Sequence, residues 1–154
     1  MLILIKENAQ QMSLEAAQQV ASQIKLKPDS VIGFATGSTP LAMYKELIKM
    51  HKEDGLDFSK ITSFNLDEYV ELPPSHPESY HYFMWENLFK HININPSNVH
   101  IPMGMAGNID VFCDWYEEII KSHGGIDLQI LGIGGNGHIA FNEPGSSLGS
   151  RTRI

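Results

Sequence analysis

Cysteine is nearly absent, with Cys113 standing alone in 154 residues. One thiol cannot close an intramolecular disulfide or build a thiolate zinc centre within one chain. Cys113 therefore reads as a small buried hydrophobe in a reducing compartment. Positive charge is also scarce: 11 Lys and Arg against 18 Asp and Glu give a formal net charge of −7. That balance opposes a general affinity for nucleic acid or an anionic membrane. No run of residues approaches the roughly 20 apolar positions of a membrane span. The apolar start at residues 2–5 is too short for a signal peptide and has no basic segment before it. These absences lead to the expectation of a soluble cytoplasmic protein. Internal repeats, low-complexity tracts and linkers are missing too. A hydrophobic content of 42% with 19% charged residues suits a folded core. One domain over 1–154 is expected.

Strand-like and helix-like stretches alternate along the chain. Strands are expected at 2–5, 31–35, 61–64, 99–101 and 126–131. The spacing predicts a helix over 13–25 with Ser13 as its N-cap and Leu14, Ala17, Ala21 and Ile24 on one face. A second helix should open at Pro40 with Thr39 as its cap, and carry Leu41, Tyr44, Leu47 and Ile48 as its apolar stripe. Further helices are expected from Ser79 to about Phe89 and from Asp110 to His123, the last stopped by Gly124 and Gly125. Pro73, Pro74 and Pro77 mark a loop. The alternation implies an α/β, Rossmann-like layered fold with a largely parallel sheet flanked by helices. Such sheets bind ligands at the carboxyl ends of their strands, where the three unusual segments of the chain fall.

The first segment is Thr36-Gly37-Ser38-Thr39-Pro40, between a strand and a helix. Gly37 permits a tight turn, Ser38 and Thr39 bring hydroxyl donors, and the helix start supplies amides for an anion. It lacks the Gly-Lys-Ser/Thr of a nucleotide-binding P-loop, and is equally read as an ordinary capped turn. The second segment places Asp67 and Glu68 just past a strand. A carboxylate there can move a proton between adjacent carbons of a sugar phosphate. It can also cap a helix. The third runs from Gly132 to Pro144 and contains Gly134, Asn136, Gly137, His138 and Glu143. Its glycines formally match a dinucleotide fingerprint, but Pro144 would cut short the helix that fingerprint needs. A loop allowing close backbone approach to a ligand fits better. His138 can act as acid or base near neutral pH, with Glu143 orienting it. A glycine turn holding a structural histidine is the plainer alternative. His51, His76, His81, His91, His100 and His123 show no metal-ligand spacing with nearby acids.

Together these blocks resemble the glucosamine-6-phosphate deaminase family. The matching residues are Thr36-Gly37-Ser38-Thr39-Pro40, Phe64-Asn65-Leu66-Asp67-Glu68-Tyr69-Val70, and His76-Pro77-Glu78-Ser79-Tyr80. They continue in Gly137-His138-Ile139-Ala140-Phe141-Asn142-Glu143-Pro144 and Ser150-Arg151-Thr152-Arg153. The resemblance implies that Thr36, Gly37, Ser38, Thr39 and Gly134 hold the substrate, its phosphate on the turn. It implies that His138 assists opening of the sugar ring, supported by Glu143 and by Asn136. Asn136 stands where some members have aspartate, so it can hydrogen-bond but supplies no charge. Asp67 would then move the proton from C2 to C1, giving fructose 6-phosphate and ammonia with no metal or organic cofactor. The resemblance leaves a homo-oligomer open. It also implies further strands, helices and basic residues beyond Ile154, so the chain reads as truncated at its C-terminal end, with sheet edge and apolar surface uncovered.

Two other functions fit parts of this pattern. A 6-phosphogluconolactonase-like hydrolase shares the Gly-Ser-Thr-Pro-like turn and the Gly-His pair. It lacks the Phe141-Asn142-Glu143-Pro144 continuation. A non-catalytic sugar-phosphate-binding fragment would have no use for Asp67, His138 and Glu143 together.

Overall fold

The computed structural model describes residues 2–147 and 149–154. Strands β1 (Val31–Phe34), β2 (Thr62–Asn65), β3 (Val99–His100) and β4 (Leu128–Gln129) form a parallel sheet in the order β3-β2-β1-β4. Helices α1 (Ala9–Leu26), α2 (Leu41–Asp54), α3 (Tyr80–Asn87) and α4 (Ile109–Ser122) lie between and around them. This is the α/β layered architecture expected from the alternating pattern.

β1 and β2 are buried along their whole length. They pair in register, Val31 opposite Thr62 and Phe34 opposite Asn65. Successive side chains of a strand point to opposite faces. Ile32 and Phe34 accordingly enter the main core with Val20 and Ile24 of α1, Leu47 of α2 and Met84 of α3. Val31 and Phe64 form a smaller cluster with Tyr116 of α4. In the main core Phe34 meets Tyr44 and Phe89 edge-on, at 5.9 and 6.1 Å between ring centroids. Each such buried side chain contributes about 2 kcal/mol relative to exposure in water.

From β1 the chain adds β2 and then β3 on one side, and returns to place β4 on the other side of β1. A crevice opens where the winding direction reverses, at the carboxyl ends of the strands. Two buried tyrosines fix those ends from opposite faces. The hydroxyl of Tyr44 donates to Ala35 O. The hydroxyl of Tyr116 is shared between Asn65 O at 2.8 Å and His100 O at 3.0 Å. The amide of Asn65 donates to Phe34 O at 2.9 Å, so β2 is also tied to β1 at its last residue.

Several local expectations are corrected. Residues 2–5 form no strand. Leu2, Ile3, Leu4 and Ile5 are exposed and pair with no strand among the described residues. A β-prone run becomes a strand only beside a neighbour that takes its backbone hydrogen bonds. α1 begins at Ala9 with Asn8 as its cap, the Asn8 side chain accepting from Gln11 N at 2.9 Å. Ser13 lies inside the helix and is buried with Ala17, Val20, Ala21 and Ile24, while Leu14 faces outward. The buried stripe extends back from Ala17 by four residues to Ser13, one position short of Leu14. α2 starts one residue later than expected, with Pro40 at the cap and no side-chain cap bond from Thr39. β4 is shorter than 126–131, although Asp127 N and Ile130 N still donate to Val31 O and Gly33 O.

Candidate active site

The carboxyl ends of β1, β2 and β4 open onto one pocket of about 270 Å³. The chain after β1 lines it with Thr36 and Thr39, and the chain after β2 with Leu66 and Asp67. The chain after β4 brings Gly132, Gly134 and His138. Tyr80 of α3 and Phe141 complete the wall. Thr36, Thr39, Asp67, Gly134 and His138, separated widely in sequence, thus meet in one cavity. Gly37 and Ser38 are exposed on the turn at its edge. Asn136 and Glu143 do not line it, and stand behind His138.

The turn after β1 is shaped by Gly37, whose φ of 93° lies in the left-handed region that glycine adopts without a Cβ clash. No side chain caps the first turn of α2. A helix start so left presents amide donors and the positive end of its dipole to an anion. Among the described residues, none of those lining the pocket is a lysine or arginine. An anion at this turn would meet amides and hydroxyls of these residues.

Asp67 is half-buried, and Thr36 Oγ1 donates to its Oδ1 at 3.4 Å. Burial pushes its carboxyl above the ordinary aspartate range, the Thr36 hydrogen bond opposes this, and the Glu68 charge adds to it. A carboxylate with raised proton affinity at a pocket wall is suited to accept a proton from carbon. Burial also pushes the Tyr80 phenol upward, with the Tyr69 hydroxyl 3.2 Å away contributing.

His138 stands on the opposite wall. Its Nδ1 lies 2.7 Å from Asn136 Oδ1, an acceptor, so Nδ1 carries the proton and Nε2 is left as the basic nitrogen. Asn136 Nδ2 in turn donates to Glu143 Oε2 at 2.7 Å, while Glu143 Oε1 is 3.9 Å from the imidazole. Glu143 thus stands at ion-pair range of the imidazole and reaches it by hydrogen bonds through the Asn136 amide. Gly134 supports the ring from beneath: its N donates to His138 O at 2.9 Å, and a Cβ there would overlap the imidazole. That close approach gives Gly134 a structural reason of its own.

Sequence reasoning left Tyr80, Leu66 and Phe141 without site roles. Tyr80 and Phe141 stack with ring centroids 6.5 Å apart, and Tyr69 joins them. Both Tyr80 and Phe141 lie inside blocks that carried the family resemblance. No periodicity could show that residues 61 positions apart touch. Among the described residues no group of three or more His, Cys, Asp or Glu is placed to hold a metal ion. No helix among them is long and apolar enough to cross a membrane.

The sequence pattern of the glucosamine-6-phosphate isomerases/6-phosphogluconolactonase family matches residues 5–148. The chain belongs to this glucosamine-6-phosphate isomerase/6-phosphogluconolactonase family. It is 60% identical to a glucosamine-6-phosphate deaminase of Halothermothrix orenii over 154 residues, which are all of this chain and 64% of that protein. Against a glucosamine-6-phosphate deaminase of a Thermoanaerobacter species the identity is 56%, again over the whole chain and 61% of the relative. The chain thus spans less than two thirds of the length of these family members. Among solved structures, a monomeric glucosamine-6-phosphate deaminase superposes with a TM-score of 0.96 at 45% identity. The match covers 98% of this chain and 63% of that one. A 6-phosphogluconolactonase of Thermotoga maritima gives a TM-score of 0.72 at 27% identity, over 90% and 62%. The family's two activities are therefore both represented, with the deaminases much the nearer in sequence.

Proposed function

We propose that this chain carries the proton-transfer half-sites of a glucosamine-6-phosphate deaminase, which converts glucosamine 6-phosphate and water to fructose 6-phosphate and ammonia. One observation supports this above the others: Asp67 and a histidine with a free Nε2 face one pocket whose rim is a helix start suited to phosphate. The substrate's phosphate sits on the turn at Gly37, Ser38 and Thr39. His138 Nε2 takes the proton of the anomeric hydroxyl and returns one to the ring oxygen as the sugar opens. Asn136 holds the Nε2-basic tautomer, and Glu143 fixes Asn136. In the open chain Asp67 removes the proton from C2 and delivers it to C1. Water then adds where the amine leaves. This is an isomerising deamination that consumes one water, and proton transfer is the only chemistry the side chains supply.

The test is ammonia release from glucosamine 6-phosphate, measured on this chain and on the chain extended to the length of its relatives. Release from either supports the reading. Silence from both, with hydrolysis of 6-phosphogluconolactone instead, overturns it in favour of the family's other activity.

A further inference from the structure

Asp67 and Glu68 are consecutive carboxylates, yet only Asp67 lines the pocket. Glu68 turns away and is saturated with donors. Its Oε1 accepts from Tyr69 N at 2.8 Å and Tyr80 N at 2.9 Å. Its Oε2 accepts from the Ser79 hydroxyl at 2.8 Å and His81 N at 3.0 Å. An ionised carboxylate is acceptor-only, with room for about four such bonds. Its charge also suits the positive end of α3.

Helix capping alone does not account for this arrangement. α3 already has its own cap in Ser79, whose hydroxyl accepts from Tyr82 N at 3.3 Å. What the four bonds add is a link between two separate segments. One Glu68 oxygen holds the amides of both Tyr69 and Tyr80, whose rings lie 5.0 Å apart. On the other side of Asp67, two residues back, Asn65 is buried and fixed to Phe34 O and to the Tyr116 hydroxyl. Asp67 is therefore suspended between two anchored residues, Asn65 and Glu68.

We propose that Glu68 is a positioning residue that holds Asp67 in the pocket by clipping the chain after β2 to the first turn of α3. Its meaning for catalysis rests on the deaminase reading; its structural content does not. The carboxyl carbon of Asp67 can be followed against pH by 13C NMR in the unaltered chain, in Glu68→Gln and in Ser79→Ala. Gln keeps the size but turns an NH2 toward backbone donors. Ser79→Ala removes one donor to Glu68, together with the weak cap bond to Tyr82 N, and no charge.

A loosened clip hydrates Asp67 and brings its titration down toward the ordinary aspartate value. The midpoint is expected to fall by about half a pH unit or more in Glu68→Gln, and by less in Ser79→Ala. A fall in Glu68→Gln alone would show a lost neighbouring charge and overturn positioning, as would no fall in either variant. If Glu68→Gln does not fold, Ser79→Ala decides alone: a fall supports the clip and a constant midpoint refutes it. The readout involves no turnover, so failure here leaves the deaminase reading untouched, and failure of ammonia release leaves this inference standing.

Discussion

The two walls of the pocket hold their polar groups by different means. On the Asp67 wall, the chain leaves a fully buried strand end, is tied to β1 and α4, and is clipped to α3 within three residues. On the His138 wall, residues 131–147 are mostly exposed and, apart from Phe141 against Tyr80 and Asn142 to Arg153, are held mostly by bonds among themselves. Examples are Gly134 N to His138 O, Gly137 N to Gly134 O and the Asn136 bridge. One wall draws its order from the core, the other from its own turns. Substitutions in the first should therefore change stability and chemistry together, whereas substitutions in the second should change chemistry with little effect on stability.

The largest effect is expected at Asp67. Asp67→Asn should retain substrate binding and lose turnover by at least ~100-fold, the contribution of a positioned acid-base group. It should also stabilise the fold at neutral pH. The carboxyl of Asp67 is raised in the folded state by burial, so between the ordinary aspartate value and this raised value the folded form binds more protons. Stability therefore falls as pH rises through that window, and an uncharged Asn escapes the loss. Thermal melts at pH 7 and pH 3 check this: a gain for Asn at neutral pH only is expected, and equal melting temperatures at both pH values would refute it.

On the other wall, Gly134→Ala places a methyl group where the imidazole lies. His138 should be displaced, slowing reaction of ring-closed substrate by about 100-fold, while the melting temperature stays within a degree or two because the loop packs against little of the core. A matching loss with an open-chain substrate would show that His138 does more than open the ring.

Asn136→Ala should give the smallest change. Without the acceptor at Nδ1, the imidazole is free to populate both tautomers, which long-range 1H–15N spectra distinguish. Ring-closed substrate should react about 10-fold more slowly. A single retained Nε2-basic tautomer would show that the Asn136 relay is not what selects it.

Much of this architecture was legible in one dimension. The stripes of α2 and α4 and the buried run of β1 follow from repeating patterns, because each residue's exposure depends on neighbours three, four or two positions away. The segments that meet in the pocket each allowed a plain-turn reading, since glycine, serine and aspartate are common turn residues, and only together did they resemble a site. One misread part depended on a distant partner and another on a near one. Residues 2–5 have strand composition and no neighbouring strand among the described residues. Ser13 looked like a cap, but Asn8 supplies the acceptor one turn earlier.

The amino-acid pattern was sufficient to specify alternating strands and helices and a glycine turn at Gly37 leading into a helix. The tertiary fold decided which of two adjacent carboxylates faces the pocket and which binds α3. It also decided that Asn136, not Glu143, touches His138 Nδ1. The reason is physical: periodic burial and backbone hydrogen bonding are set by near neighbours, whereas a side chain's direction at a strand end is set by donors that arrive from elsewhere in the chain.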